Sequence, residues 1–228
     1  MITSNFIHRT FRIRYKTAIG TAFTVDVDGR QYLVTAQHIV PSINQQASID
    51  VFSNNEWVSI PVQLVGHGSD TIDLSVFAPG VMLTPPGLPI QASSDGMAYG
   101  QELYFLGFPY HFLGNIIFAE QGYPLPFVKR AILSCFSGDV YLLDGHNNPG
   151  FSGGPVVFGH PGASPTNVAA VISGYKFVPE PIYEGGVETE LTYRYNTGII
   201  VAYKIEHAVS LISANPIGLK LRDIEEMR

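Results

Sequence analysis

One cysteine stands in 228 residues, so no disulfide can close within the chain, and the small disulfide-stapled secreted scaffolds are excluded. That residue, Cys135, lies among Ile132, Leu133 and Phe136 and reads as a buried structural thiol. Charge is also scarce: 14% of residues are Asp, Glu, Lys or Arg, and the formal net charge is −6. Nucleic-acid binding needs a basic face, so no nucleic-acid partner is expected. The one basic run is Arg9, Arg12, Arg14 and Lys16; its last three members alternate with Phe11, Ile13 and Tyr15, the pattern of a strand with one solvated face. No stretch approaches the ~18 continuous apolar residues of a membrane helix, and the opening Met-Ile-Thr-Ser-Asn-Phe carries no secretory signal. No membrane partner and a cytoplasmic location are therefore expected. The seven histidines show no metal-ligand spacing, and His67-Gly68-Ser69-Asp70 reads as a surface turn, so neither metal nor cofactor is expected.

The chain does have apolar surface and turn residues. Hydrophobic residues make up 46%, with 12 Tyr and 14 Phe, and 23 glycines and 16 prolines punctuate them. Short β-rich segments between turns predict an all-β architecture. Strands are expected at about 11–16, 19–27, 31–37, 47–53, 56–65 and 73–78, with hairpin turns at Val27-Asp28-Gly29-Arg30 and Ser53-Asn54-Asn55-Glu56. A second set is expected near 101–107, 114–119, 128–136, 139–143, 155–158, 168–175 and 192–202, after a Pro/Gly-rich crossover over 79–98. The expectation is two six-stranded antiparallel β-barrels, residues 1–90 and 91–228. Lys204 to Ser213 adds a C-terminal helix packed on the second barrel. The tail to Arg228 is expected to leave no room for an appended peptide-binding domain.

The most informative stretch is Asn148-Pro149-Gly150-Phe151-Ser152-Gly153-Gly154-Pro155. Glycines around a serine permit unusual dihedrals and close backbone approach. The amides of Gly150 and Ser152 could converge on one point and hold an oxyanion. Val156, Val157 and Phe158 follow as an apolar run that anchors the turn in a core.

A serine attacks well only when a base takes its proton and a third group orients that base. Residues 32–40 read as an apolar strand delivering His38, and residues 71–77 bring Asp73 into another strand among apolar neighbours. A buried aspartate needs a partner, which a histidine N–H supplies. Asp70 is the rival, but it sits in a polar turn where Asp is commonly solvated. Gly150 to Gly154 also satisfies the G-x-S-x-G pattern of α/β-hydrolases, yet a strand rather than a helix follows it.

Gly20-Thr21-Ala22-Phe23, Thr35-Ala36-Gln37-His38, Asp73-Leu74-Ser75 and the Asn148–Pro155 run, in this order, resemble chymotrypsin-fold serine proteases, closest to the bacterial trypsin-like and Deg-type branch. The resemblance spans about Thr17 to Ile212. It implies Ser152 as nucleophile, His38 as general base and then acid, Asp73 as the group fixing the imidazole tautomer, and Gly150 and Ser152 as oxyanion-hole donors. It also implies that Ser173 contacts the aspartate and that Ser173, Gly174 and Tyr175 pair with a peptide substrate, although Ser173 also reads as an ordinary strand serine. His146, six residues before Ser152, stands where the family sets the base of its specificity pocket. The substrate implied is a protein or peptide, and an intracellular protease of this size calls for restraint, so an activating partner is a further expectation.

Two positions depart from the pattern. Gln37 stands where a small residue commonly precedes the histidine, and Phe151 stands where the animal enzymes carry an aspartate that captures a freed N-terminus. Phe151 is expected to hold the loop by packing, in an active or an inactive form. Residues 176–197, with Glu180, Glu184, Glu188 and Glu190, read as a loop bordering the pocket, either simply solvated or favouring a basic peptide. The alternative to an endopeptidase is a protease-fold module that binds peptides without turnover.

Overall fold

A computed structural model describes residues 2–111, 122–159 and 166–221. The strand expected at 114–119 lies outside them. A short helix, α1 (Ser4–His8), leads into six strands: β1 (Thr10–Tyr15), β2 (Ala18–Val27), β3 (Arg30–Thr35), β4 (Gln46–Ser53), β5 (Glu56–His67) and β6 (Ser75–Pro79). They close in the order β1-β2-β3-β6-β5-β4, the first of the two expected barrels. Two of the hairpins turn where the sequence places them: Asp28 and Gly29, then Asn54 and Asn55, all have positive φ (48°, 72°, 50° and 65°), the dihedrals a two-residue turn between twisted strands demands. Phe11, Ile13, Leu33, Val51, Val62 and Phe77 fill this barrel from alternating positions.

The expected solvated face of β1 is corrected. Arg12 is 3% exposed, its guanidinium lying over the rings of Phe52 and Trp57 at 5.1 and 4.9 Å. Arg14 stacks on Trp57 at 4.5 Å and pairs with Asp50 at 2.7 Å. Arginine's flat, weakly hydrated cation permits such cover, which the alternating pattern alone cannot distinguish from solvent.

The second set comprises β7 (Gln91–Ala92), β8 (Glu102–Gly107), β9 (Phe127–Ser137), β10 (Val140–Asp144), β11 (Pro155–Phe158), β12 (Asn167–Glu184) and β13 (Val187–Lys204). These form a seven-stranded sheet in the order β11-β8-β9-β10-β13-β12-β7, and β11 pairs with β12 as well. That pairing joins the ends of β11-β8-β9-β10-β13-β12 into a ring of six strands, so the expected second barrel is not a plain one but carries an added strand, β7, which joins β12 in parallel. Residues 176–197 are likewise not a loop: they are the outer halves of β12 and β13, joined by Gly185-Gly186 at φ 59° and 84°. Cys135 is half-buried on β9.

The two units share a seam. Phe23, Val25 and Val34 from the first pack in one cluster with Leu106, Val157 and Val171 from the second. The C-terminal helix α2 (Glu206–Ala214) straddles it rather than resting on the second unit alone. Its first turn is tied there, Glu206 accepting from Ser94 and the Ile205 amide donating to Ala169 O. Its far end reaches the first barrel, where Asn215 Nδ2 donates to Val65 O at 3.0 Å.

Candidate active site

His38 stands on a single 3-10 turn, Gln37–Ile39, at the end of β3. Ala36, Ile39 and Val40 are buried and anchor the turn, while the His38 side chain is 48% exposed at the seam. Gln37 is half-buried beside it. Asp73 lies two residues ahead of β6 rather than inside it. Its Oδ1 accepts the His38 backbone N–H at 2.8 Å and its Oδ2 accepts from His38 Nδ1 at 2.6 Å. A carboxylate can only accept, so Nδ1 carries a proton, and in the neutral ring Nε2 keeps its lone pair. Ser173 Oγ donates to the same Oδ2 at 2.6 Å. Asp70, the rival carboxylate, is exposed in the preceding turn.

Burial, the strongest single influence, pushes the Asp73 carboxyl up, but the bond from the His38 ring, the Ser173 hydroxyl, the imidazole charge and the His38 backbone N–H together hold it below its ordinary 3.8. The folded chain therefore keeps this group ionised where the unfolded chain takes up a proton. Stability from this carboxylate is complete above pH 3.8 and is lost as pH falls through the depressed folded value. An Asp73→Asn chain should show a flatter acid limb in urea midpoints measured across pH; parallel limbs would contradict this.

Ser152 sits on a turn that side chains cannot share. Gly150 and Gly153 adopt φ of +105° and +84°, and a Cβ would lie 2.2 Å from Phe108 O at the first and 2.0 Å from Thr21 O at the second. Phe151 points inward, fully buried, with its ring edge-on to Phe105 at 4.9 Å. It holds the loop by packing, as expected of an apolar residue in that place.

The Pro149–Gly150 and Phe151–Ser152 peptide planes are pinned through their carbonyls. Pro149 O accepts the Tyr110 N–H at 2.8 Å and Phe151 O accepts the Gly154 N–H at 2.8 Å. A trans peptide points its N–H opposite to its C=O, so the Gly150 and Ser152 amides are fixed facing the other way, and neither donates to an acceptor among the described residues. Thr21 Oγ1 adds a bond to Gly150 O at 2.8 Å.

The Ser152 hydroxyl donates to Ser173 O at 2.9 Å. Hydrogen bonds thus link Ser152 to the backbone oxygen of Ser173, and the hydroxyl of Ser173 to Asp73 and so to His38. His38 Nε2 has no partner among the described residues, Ser152 included. Gly174 and Tyr175 continue β12 from Ser173. His146 is exposed, and among the described residues only its carbonyl is engaged, by Lys129 Nζ. A cavity of about 510 Å³ on the flank of the first barrel, bounded by Pro61, Val62, Pro79 and Leu219, holds no titratable side chain and is remote from these residues.

Residues 20–162 match the family model described as a trypsin-like peptidase domain. The chain belongs to the trypsin-like peptidase family. No curated protein is a significant match. Among solved structures, this peptidase chain is similar to the HtrA-type protease AlgW with tripeptide, at 20% identity over 92% of this chain and 61% of that one, with a TM-score of 0.59. It is similar also to a serine endoprotease from Yersinia pestis, at 17% identity over 96% and 65%, TM-score 0.58, and to Deg5, at 16% over 91% and 88%, TM-score 0.57. At such identities the likeness is one of fold. The peptidase chain spans 61% and 65% of the first two proteins.

Sequence reasoning missed three parts of this site. Lys129 on β9 donates to His146 O and to Asn148 Oδ1 at 3.0 Å, bracing the loop ahead of Ser152. Tyr110 supplies the backbone donor to Pro149 from a left-handed φ of 49°. Tyr203 on β13 lies beside Asp73; burial raises its phenol and the Asp73 charge raises it further. Each is distant in sequence from what it touches. Thr21 lies in Gly20-Thr21-Ala22-Phe23, where a hydroxyl beside glycine in an apolar strand is the signal available for it.

Proposed function

We propose that the chain is a serine endopeptidase that cuts peptide bonds through an acyl-enzyme formed on Ser152. The hydrogen bonds linking Ser152, Ser173, Asp73 and His38 carry this reading. In the first step His38 Nε2 takes the Ser152 proton while Oγ attacks the scissile carbonyl carbon. The oxyanion is held by the Gly150 and Ser152 amides, whose orientation is fixed before substrate arrives. Collapse of the tetrahedral species expels the amine, which receives its proton from His38. Water, activated by the same imidazole, then releases the acid and restores the serine. Asp73 keeps Nδ1 protonated throughout and balances the imidazolium. The edge of β12 at Ser173 to Tyr175 pairs with the substrate backbone, and the second sheet serves as the second barrel of the fold.

Ser152 must first leave Ser173 O and turn toward His38, a rotation about its Cα–Cβ bond. That resting hydroxyl favours a second reading: a protease-fold module that holds peptides and leaves them uncut. The test is incubation of the folded chain with an unfolded polypeptide. Fragments with a burst of acylated enzyme support the peptidase; binding with no fragments supports the module.

Thr21→Val keeps the shape of the side chain and removes the hydroxyl that holds Gly150 O. It should lower kcat about 10- to 100-fold with little change in KM, less than the ~10²–10³ lost with an oxyanion donor itself. Thr21→Ser should recover most of the loss. Equal kcat in Thr21→Val and wild type would remove Thr21 from the site.

A further inference from the structure

From Phe177 and Asn196 outward to the Gly185-Gly186 turn, β12 and β13 pair only with each other among the described residues. A solitary two-stranded ribbon is marginal in water, so one of this length calls for cover on at least one face. Alternation divides its side chains between two faces. One is used by the chain itself: the Arg194 guanidinium lies over the Phe177 ring at 4.6 Å, and Asn196 Nδ2 donates to Asn147 O at 2.9 Å.

The other face carries Val178 and Ile182, each 39% exposed, and Tyr193 and Tyr195, each 50% exposed. Glu180 and Glu184 share it by alternation along β12. Neither tyrosine hydroxyl has a hydrogen-bond partner among the described residues. Pro179 and Pro181 remove two N–H groups from β12, which spoils this stretch as a template for an added strand. Recognition here therefore falls to side chains.

We propose that this face docks a substrate polypeptide carrying Arg or Lys interleaved with apolar residues, on the N-terminal side of the bond offered to Ser152. The two carboxylates suit the cations, the two phenol rings accept them over their faces, and Val178 and Ile182 take the apolar neighbours. Charge argues for this occupant over a second copy of the chain, which carries a net −6 and whose cations, among the described residues, are largely engaged at home. Arg9 and Arg12 are buried, and Arg14 and Arg130 pair with Asp50 and Glu102. The direction rests on the peptidase reading: a strand pairing antiparallel with β12 at Ser173 runs its N-terminal part toward the ribbon tip.

The experiment measures fluorescence anisotropy of a labelled flexible peptide of alternating Arg, Leu and Ser, against its Glu-for-Arg counterpart. Binding is read on the full chain bearing Ser152→Ala, so it does not depend on turnover. The Arg peptide should bind about tenfold or more tighter than the Glu peptide, and weaken with salt. Adding Glu180→Lys with Glu184→Lys, or separately Tyr193→Ser with Tyr195→Ser, should each weaken it about tenfold. Both pairs are exposed, and an unchanged thermal midpoint establishes that the chain still folds. Equal affinity for the two peptides, or affinity indifferent to both pairs of substitutions, overturns the proposal. So does sedimentation showing a dimer that Tyr193→Ser with Tyr195→Ser dissolves. Docking without any cleavage by the wild-type chain would keep this face and reject the peptidase.

Discussion

Ser152→Ala is expected to lower kcat by about 10⁴- to 10⁶-fold while leaving peptide affinity nearly unchanged. The size follows from what the hydroxyl alone supplies: the attacking oxygen, and the proton that His38 must carry to the departing amine. The Gly150 and Ser152 amides survive the substitution, because their orientation is set by Tyr110 N and Gly154 N acting on Pro149 O and Phe151 O. Residual catalysis above the uncatalysed rate should therefore remain. Adding a second triad substitution should cost little more, since residues acting as one unit do not contribute additively. A loss of less than about tenfold would mean that turnover, if present, uses another nucleophile.

Asp73→Asn is expected to lower kcat about 10⁴-fold with the fold retained. Three donors converge on this carboxylate: the His38 backbone N–H, His38 Nδ1 and Ser173 Oγ. An asparagine has one accepting oxygen in place of two. If its NH₂ faces Nδ1, the ring must accept there and protonate at Nε2, and it can no longer take the serine proton. Where the oxygen faces the ring instead, the NH₂ opposes the His38 backbone N–H, a donor facing a donor, which favours the first rotamer. Steady-state kcat and KM on one peptide, with circular dichroism to verify folding, read the effect. An unchanged kcat would show that Asp73 only holds the His38 turn in place.

The first barrel was legible because its signals are local. Asp28-Gly29 and Asn54-Asn55 fix two turns, and the intervening strands alternate in the ordinary way. The candidate site was legible for a related reason: a serine among glycines, a histidine at a strand end and an aspartate among apolar residues are each unusual on their own terms. The outer halves of β12 and β13 were not. Pro179, Pro181 and four glutamates give residues 176–197 the composition of a loop, and the pairing that makes them a ribbon is set by Gly185-Gly186 and the strands below. Nor could Arg12 be placed, since the rings that cover it come from β4 and β5. Lys129, Tyr110 and Tyr203 act across long sequence separations, and a single sequence carries no mark of such contacts.

The resting bond from Ser152 to Ser173 O gives the account its sharpest exposure, because the proposed chemistry requires that hydroxyl to reach His38 Nε2. Mass spectrometry of the folded chain after treatment with a fluorophosphonate tests this most directly. The account predicts a single stoichiometric adduct on Ser152, absent from both Ser152→Ala and unfolded protein. No adduct across neutral and mildly alkaline pH, or one located on another residue, would contradict it.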